Sequence, residues 1–159
     1  MPSAGRQGVL LDLKFHSHHW RRTFLLALML AAFIFLFHAM VLLEAARLLN
    51  VTHSWLIDRY GQLNAGRVLI PFCFVILFVT HVLEAFAWAV FIWRRDLIKT
   101  LGEAIYYTTT SITSLGYGDV VQPPPWRMLG PLIAINGVLM FGCSTAFLFL
   151  VLQKVWMHF

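Results

Sequence analysis

Thr108-Thr109-Thr110-Ser111-Ile112-Thr113-Ser114-Leu115-Gly116-Tyr117-Gly118-Asp119 is a run of hydroxyl side chains that ends in two glycines around a tyrosine. Long apolar segments flank it on both sides. Gly116 and Gly118 give the backbone there a φ freedom that regular helices and strands do not use. Irregular backbone at membrane depth is tolerated only where it is buried in protein or lines a water-filled path. The stretch therefore decides whether the flanking segments are plain anchors or the walls of something built around it.

The rest of the chain sets the class. Of 159 residues, 60% are hydrophobic and 12% charged, and mean hydropathy is +0.76, far from the balance of a soluble domain. This composition is that of an integral membrane protein. The net charge of +5 is modest and scattered, which argues against nucleic acid; basic residues beside apolar segments meet lipid headgroups. Cys73 and Cys143 sit inside apolar runs and read as small apolar side chains, not a disulfide.

Residues 1–22 mix Gly, Pro, Arg and Lys with His16, His18 and His19, and are expected to form a solvated N-terminal arm without a signal-peptide cleavage site. Residues 23–66 read as a first transmembrane helix (23–43) and an amphipathic linker at the membrane surface that turns near Tyr60-Gly61. About twenty residues rising about 1.5 Å each span a hydrocarbon core of about 30 Å. No series of Arg or Lys at three-residue intervals occurs there, so the first helix cannot carry gating charge. Residues 67–93 form a second span, with Pro71 expected in its first turn. Residues 100–113 are too short to cross a bilayer and suit a re-entrant half-helix. Residues 128–152 form a third span.

The hydroxyl residue, aliphatic residue and Gly-Tyr-Gly-Asp at 114–119 resemble the selectivity filter of potassium channels, and residues 68–152 resemble their whole pore unit. The chain is similar to small bacterial two-transmembrane channels with an extra N-terminal helix. The resemblance implies an all-α membrane protein with three transmembrane helices, a re-entrant pore helix and a selectivity filter, assembled as a homotetramer. It places a pore domain at 67–159: outer helix 67–93, pore helix 100–113, filter 114–119 and inner helix 128–152. A cation leaving water needs replacement oxygens, and backbone carbonyls around an axis supply them without a fixed charge. Gly116 and Gly118 give the φ freedom such a strand needs.

One strand cannot encircle an ion; four can. The implied potassium sites are Ser114, Leu115, Gly116 and Tyr117, with Gly118 and Asp119 shaping the outer mouth. Tyr106, Tyr107, Thr110, Thr113 and Asp119 would support the filter, and Tyr117 would point outward to brace it. Gly137 is a possible hinge or a packing position.

The expected function is passive K⁺ conduction, with K⁺ as permeant ion, no enzymatic step, no other small-molecule substrate and no nucleic acid. The expected setting is a multi-pass protein of the lipid bilayer of a plasma or inner membrane. Three departures from the family pattern stand in the chain. Ser114 replaces Thr and Leu115 replaces Val, which leaves open a weakly selective monovalent cation channel. Thr110 stands where many members carry a Glu that bonds the Asp after the filter, so Asp119 needs another partner.

Ionisable residues inside spans are functional hypotheses by default. His81 and Glu84 lie three apart on one helix face, and His38 with Glu44 makes a looser echo. The favoured reading of the pair is a staple to the hydroxyls of residues 108–111; proton sensing and a His/Glu metal site are the alternatives. Asn136 is expected to face a cavity or to cross-link subunits. The filter resemblance puts the N-terminus outside, whereas Arg6, Lys14, Arg21 and Arg22 against Asp12 lean the other way. Pore geometry is given the greater weight.

Overall fold

The computed structural model describes the backbone of residues 3–156 and, within it, the side chains from Trp20 to Val155 except those of residues 53, 54, 62 and 63. The chain forms α1 (Ser3–Tyr60), α2 (Gln62–Arg94), α3 (Leu101–Ile112), a 3-10 turn (Trp126–Met128) and α4 (Leu129–Trp156). No strand occurs among the described residues. Three stretches, Trp20–Thr52, Asn64–Arg94 and Trp126–Val155, are long and apolar enough to cross a membrane. The side chains of His16, His18 and His19 lie outside the described residues.

Two helices are longer than expected. No Gly or Pro interrupts residues 44–60, and their Leu, Ala, Glu and Arg are good helix formers, so the expected surface linker is helix through Tyr60. The turn then takes a single residue. Gly61 has φ 77°, a conformation that costs glycine nothing, and its N–H donates to Ile57 O at 2.9 Å. Because α2 starts at Gln62, Pro71 lies well inside the helix, not in its first turn. Its missing N–H leaves the Arg67 carbonyl without the usual helical partner.

Helix α1 lies against both α2 and α4. Its buried positions, Ala27, Ala31, Ile34, His38, Ala45, Leu49 and Leu56, recur at steps of three, four or seven, one face of a helix. Alanines there let the backbones approach closely. Two apolar clusters result. One joins Ile34, Trp88, Ile92, Ile133 and Met140 to the buried face of α3. The other joins Leu49, Leu56, Leu69, Leu77, Phe147 and Val151. At the level between them the buried residues are polar: His38, Glu84 and Ser144.

The ends fix the direction of each element. Trp20 Nε1 donates to Pro125 O at 2.9 Å, which puts the start of the α1 span beside the connection that precedes α4. At the opposite end Lys154 Nζ donates to Asn50 Oδ1.

Candidate functional site

Helix α3 begins where its cap dictates: Thr100 Oγ1 accepts from Glu103 N at 3.2 Å, satisfying one of the unpaired N–H groups of the first turn. It buries Ala104, Tyr107, Thr108 and Ile112. Thr108 Oγ1 lies 3.2 Å from Ala85 O of α2 and 2.9 Å from Ala104 O, so it holds the helix to α2. Tyr107 sets its hydroxyl against Ser111 and the backbone of Gly130. On the α4 side, a Cβ on Gly137 would lie 2.0 Å from Ile112 O. Gly137 is thus a packing position: only glycine lets α4 meet the C-terminal end of α3.

That contact delivers the chain to residue 113. Thr113 Oγ1 donates to Thr109 O at 2.7 Å; Ser114 N donates to Ser111 O at 2.9 Å and Gly116 N to Thr110 O at 3.0 Å. The 114–118 segment is irregular and alternates in conformation, with φ of 58° at Ser114, 49° at Gly116 and 79° at Gly118. Two of these are free for glycine. Ser114 bears strain of about 1–2 kcal/mol, and a β-branched residue fits this region worse. Serine where the family carries threonine is consistent with that backbone.

Beyond the strand, Tyr106 Oη donates to Asp119 Oδ2 at 2.6 Å, and Val120 N donates to Asp119 Oδ1 at 3.0 Å. Tyr106 is therefore the partner that Asp119 lacks at Thr110, whose Oγ1 donates instead to Tyr107 O at 3.0 Å. The bond from Tyr106 holds the Asp119 carboxyl below its usual range, and the same bond raises the Tyr106 phenol. Leu115 is 56% and Tyr117 67% exposed. Behind the strand a cavity of about 380 Å³ is lined by Ser114, Gly116, Gly118, Thr110 and Tyr107 together with Arg127, Gly130 and Ala134 of the next elements.

The second constellation is the buried polar layer. His81 Nδ1 lies 2.9 Å from Glu84 Oε2, as the spacing of three predicts. The other carboxylate oxygen, Oε1, lies 2.8 Å from His38 Nδ1, so His38 is joined to Glu84 and not to Glu44. Glu44 sits exposed, 3.9 Å from Arg47. The expected staple to α3 is instead a staple to α1 and α4: Ser144 Oγ is 3.0 Å from His81 Nε2 and 3.2 Å from His38 Nε2. The ligand-type atoms of His38, His81 and Glu84 lie within 4.8 Å of one another, close enough to share one cation; the ring nitrogens are already engaged in these contacts. About two turns along α4, Asn136 accepts from Trp88 Nε1 at 3.1 Å and donates to Ala31 O at 3.2 Å. Its amide is thus engaged within the chain, on α1 and α2. Cys73 and Cys143 are free thiols.

The part played by Ser144 was beyond the reach of sequence reasoning. Its one available signal was position: Gly137, Met140, Ser144 and Phe147 follow the buried rhythm of α4, and a hydroxyl in that rhythm calls for a polar partner.

A family model described as ion channel matches residues 72–154, which include most of α2, all of α3, the 114–119 strand and nearly all of α4. No curated protein and no solved structure matches the chain. With a match over more than half its length, and with three helices able to cross a bilayer, the chain belongs to the two-transmembrane ion channel family and is a membrane protein.

Proposed function

We propose that four copies of this chain conduct K⁺ passively through a filter made of residues 114–118. The observation that carries this reading is the irregular segment itself: left-handed φ at every second residue from Ser114 to Gly118, directly after a short helix capped at Thr113. In the assembly, α3 serves as the pore helix and presents the negative end of its dipole to the ion path. The carbonyls of Ser114, Leu115, Gly116 and Tyr117, with the Ser114 hydroxyl, replace the hydration shell. Thr110, Thr113, Tyr106, Tyr107 and Asp119 hold the strand from behind and above.

The exposure of Leu115 and Tyr117 in one chain supports an oligomer, because large apolar side chains at the end of a packed helix call for cover. Nothing in the reading requires a catalytic step, and the host membrane is a plasma or inner membrane. A weakly selective monovalent cation channel is the second reading, which Leu115 and the absence at Ser114 of a packing methyl permit.

Reconstitution into liposomes tests the proposal. Purified protein is expected to run as a tetramer after cross-linking and to pass K⁺ in a flux that barium blocks. Monomers without flux at any pH would overturn it.

A further inference from the structure

Glu84, His38, Ser144 and His81 form a closed ring of four contacts: Glu84 Oε1 to His38 Nδ1, His38 Nε2 to Ser144 Oγ, Ser144 Oγ to His81 Nε2, and His81 Nδ1 to Glu84 Oε2. The distances are 2.8, 3.2, 3.0 and 2.9 Å, all of them hydrogen-bond lengths. A ring of four hydrogen bonds needs four hydrogens, one per contact. The serine hydroxyl supplies one and each neutral imidazole one. Those three leave a contact between two lone pairs and a net charge of −1 on the carboxylate.

A fourth proton, on the carboxyl or on an imidazole, completes the ring at net charge zero. A fifth gives a net positive charge in a layer with apolar clusters on both sides, where unpaired charge is costly.

We propose that this ring is a proton-binding site that latches α4 to α1 and α2, and that pH sets the current by filling or overfilling it. His38 and Glu84 are 1% exposed and Ser144 is 6% exposed, so the site is shut off on the α1 side. On the other side it has a door. His81 and Ser144 both line a cavity of about 620 Å³ between α2, α3 and α4, so the ring is reached from that side.

The groups that face the ring are His38 from α1, His81 and Glu84 from α2, and Ser144 from α4. Cys143 neighbours Ser144 in sequence and has no contact in the ring. Besides apolar Ile105 and Ile112, helix α3 and its C-cap bring to the shared cavity the hydroxyls of Thr109 and Thr113, and no titratable group. The ring ties the helix that follows the filter to the first helix, which lies outside the matched family region. Protonation at one end of that tie is therefore felt by α4.

The competing occupant of the ring is a metal. Bound between Glu84 and the Nδ1 atoms of His38 and His81, it would take the place of the protons in those two contacts.

The gating readout rests on the channel reading; the proton count does not, so the two are measured separately. The full-length protein, with histidine labelled with nitrogen-15, is reconstituted in liposomes and titrated from pH 5 to 9 by solid-state NMR. The expected result is one coupled step in which the imidazoles of His38 and His81 respond together, and its loss in Ser144→Ala. Independent titration of the two rings, or zinc retained at one equivalent per chain after purification and lost in His81→Gln, overturns the proposal.

In the same liposomes, K⁺ flux is expected to change about tenfold between pH 7.5 and 5.5, inside the range of ordinary coupling between sites. In Ser144→Ala, whose helix tolerates alanine, that dependence should flatten to under about twofold. PH-independent flux in the wild type contradicts the latch. Absence of all flux contradicts the channel reading, and the NMR step then decides the latch alone.

Discussion

The interface of α1, α2 and α4 and the strand at 114–118 stand in contrast. The first is finished within one chain. Every buried side-chain nitrogen and oxygen among the described residues has a hydrogen-bond partner, and the polar contacts of that interface, among them the ring around Glu84 and the bonds of Asn136 to Trp88 and Ala31, join helices of the same molecule. The second is held from behind by α3 and α4 and left uncovered in front, with Leu115 and Tyr117 exposed. The difference is between a scaffold that satisfies its own polar groups and an uncovered, conformationally constrained segment, and an uncovered segment is what the proposed four-copy filter requires.

The largest expected effect breaks the scaffold side. Glu84→Ala leaves both imidazoles without the carboxylate that holds them; removing one partner of a buried pair costs about 3–5 kcal/mol. Thermal unfolding in detergent should show that loss even in protein kept monomeric. A melt unchanged from wild type would mean the ring is not part of what holds α1 to α2.

Gly137→Ala strikes the joint between the two regions. With 2.0 Å between the new Cβ and Ile112 O, the backbones must separate, at about 3 kcal/mol, and α3 loses its seat. Both stability and conduction should fall together. A hinge role would instead spare the melt and alter only gating.

Gly116→Ala sharpens the comparison from the other side. Nothing lies within 4 Å of a Cβ there, and φ is +49°, so the substitution adds only local strain of about 1–2 kcal/mol. The melt of the monomer should barely move while cation flux disappears. Equal loss of both would erase the distinction between scaffold and filter.

Tyr106→Phe is the mildest change. It removes the donor that keeps Asp119 ionised to lower pH. Because the Asp119 carboxyl is depressed, the contribution of the pair is complete above the ordinary aspartate range and fades as pH falls through the lowered value. Because the phenol is raised, the same bond persists up to pH values above the ordinary tyrosine range and is lost beyond them. The protection factor of the Val120 amide, whose N–H donates to Asp119, should fall on acidification in the wild type. In Tyr106→Phe it should already be low at neutral pH.

Much of this was legible in the sequence, and the limits have physical causes. The short helix ends within a residue or two of where Thr100 and the run to Thr113 place it, because its cap and its length are local properties. The extent of α1 was missed because its residues 44–60 are polar enough to suggest a surface linker, yet contain no breaker before Gly61. Pro71 was misplaced for the same reason, since Arg67 marks a charge and not the start of a helix. The His81–Glu84 contact follows from a spacing of three. Its partners His38 and Ser144 come from other helices, 46 and 63 residues away, and no periodicity on one helix reports which other helix lies against it. Asn136 failed similarly: an amide in a span announces a partner but not its address.

The central claim is that residues 114–118 select K⁺. The most direct test is the reversal potential of the purified protein in a planar bilayer, with K⁺ on one side and Na⁺ on the other, for the wild type and for Gly116→Ala. The account predicts reversal near the potassium equilibrium value in the wild type and no current in the substituted protein. Reversal near zero, unaffected by the substitution, would contradict it.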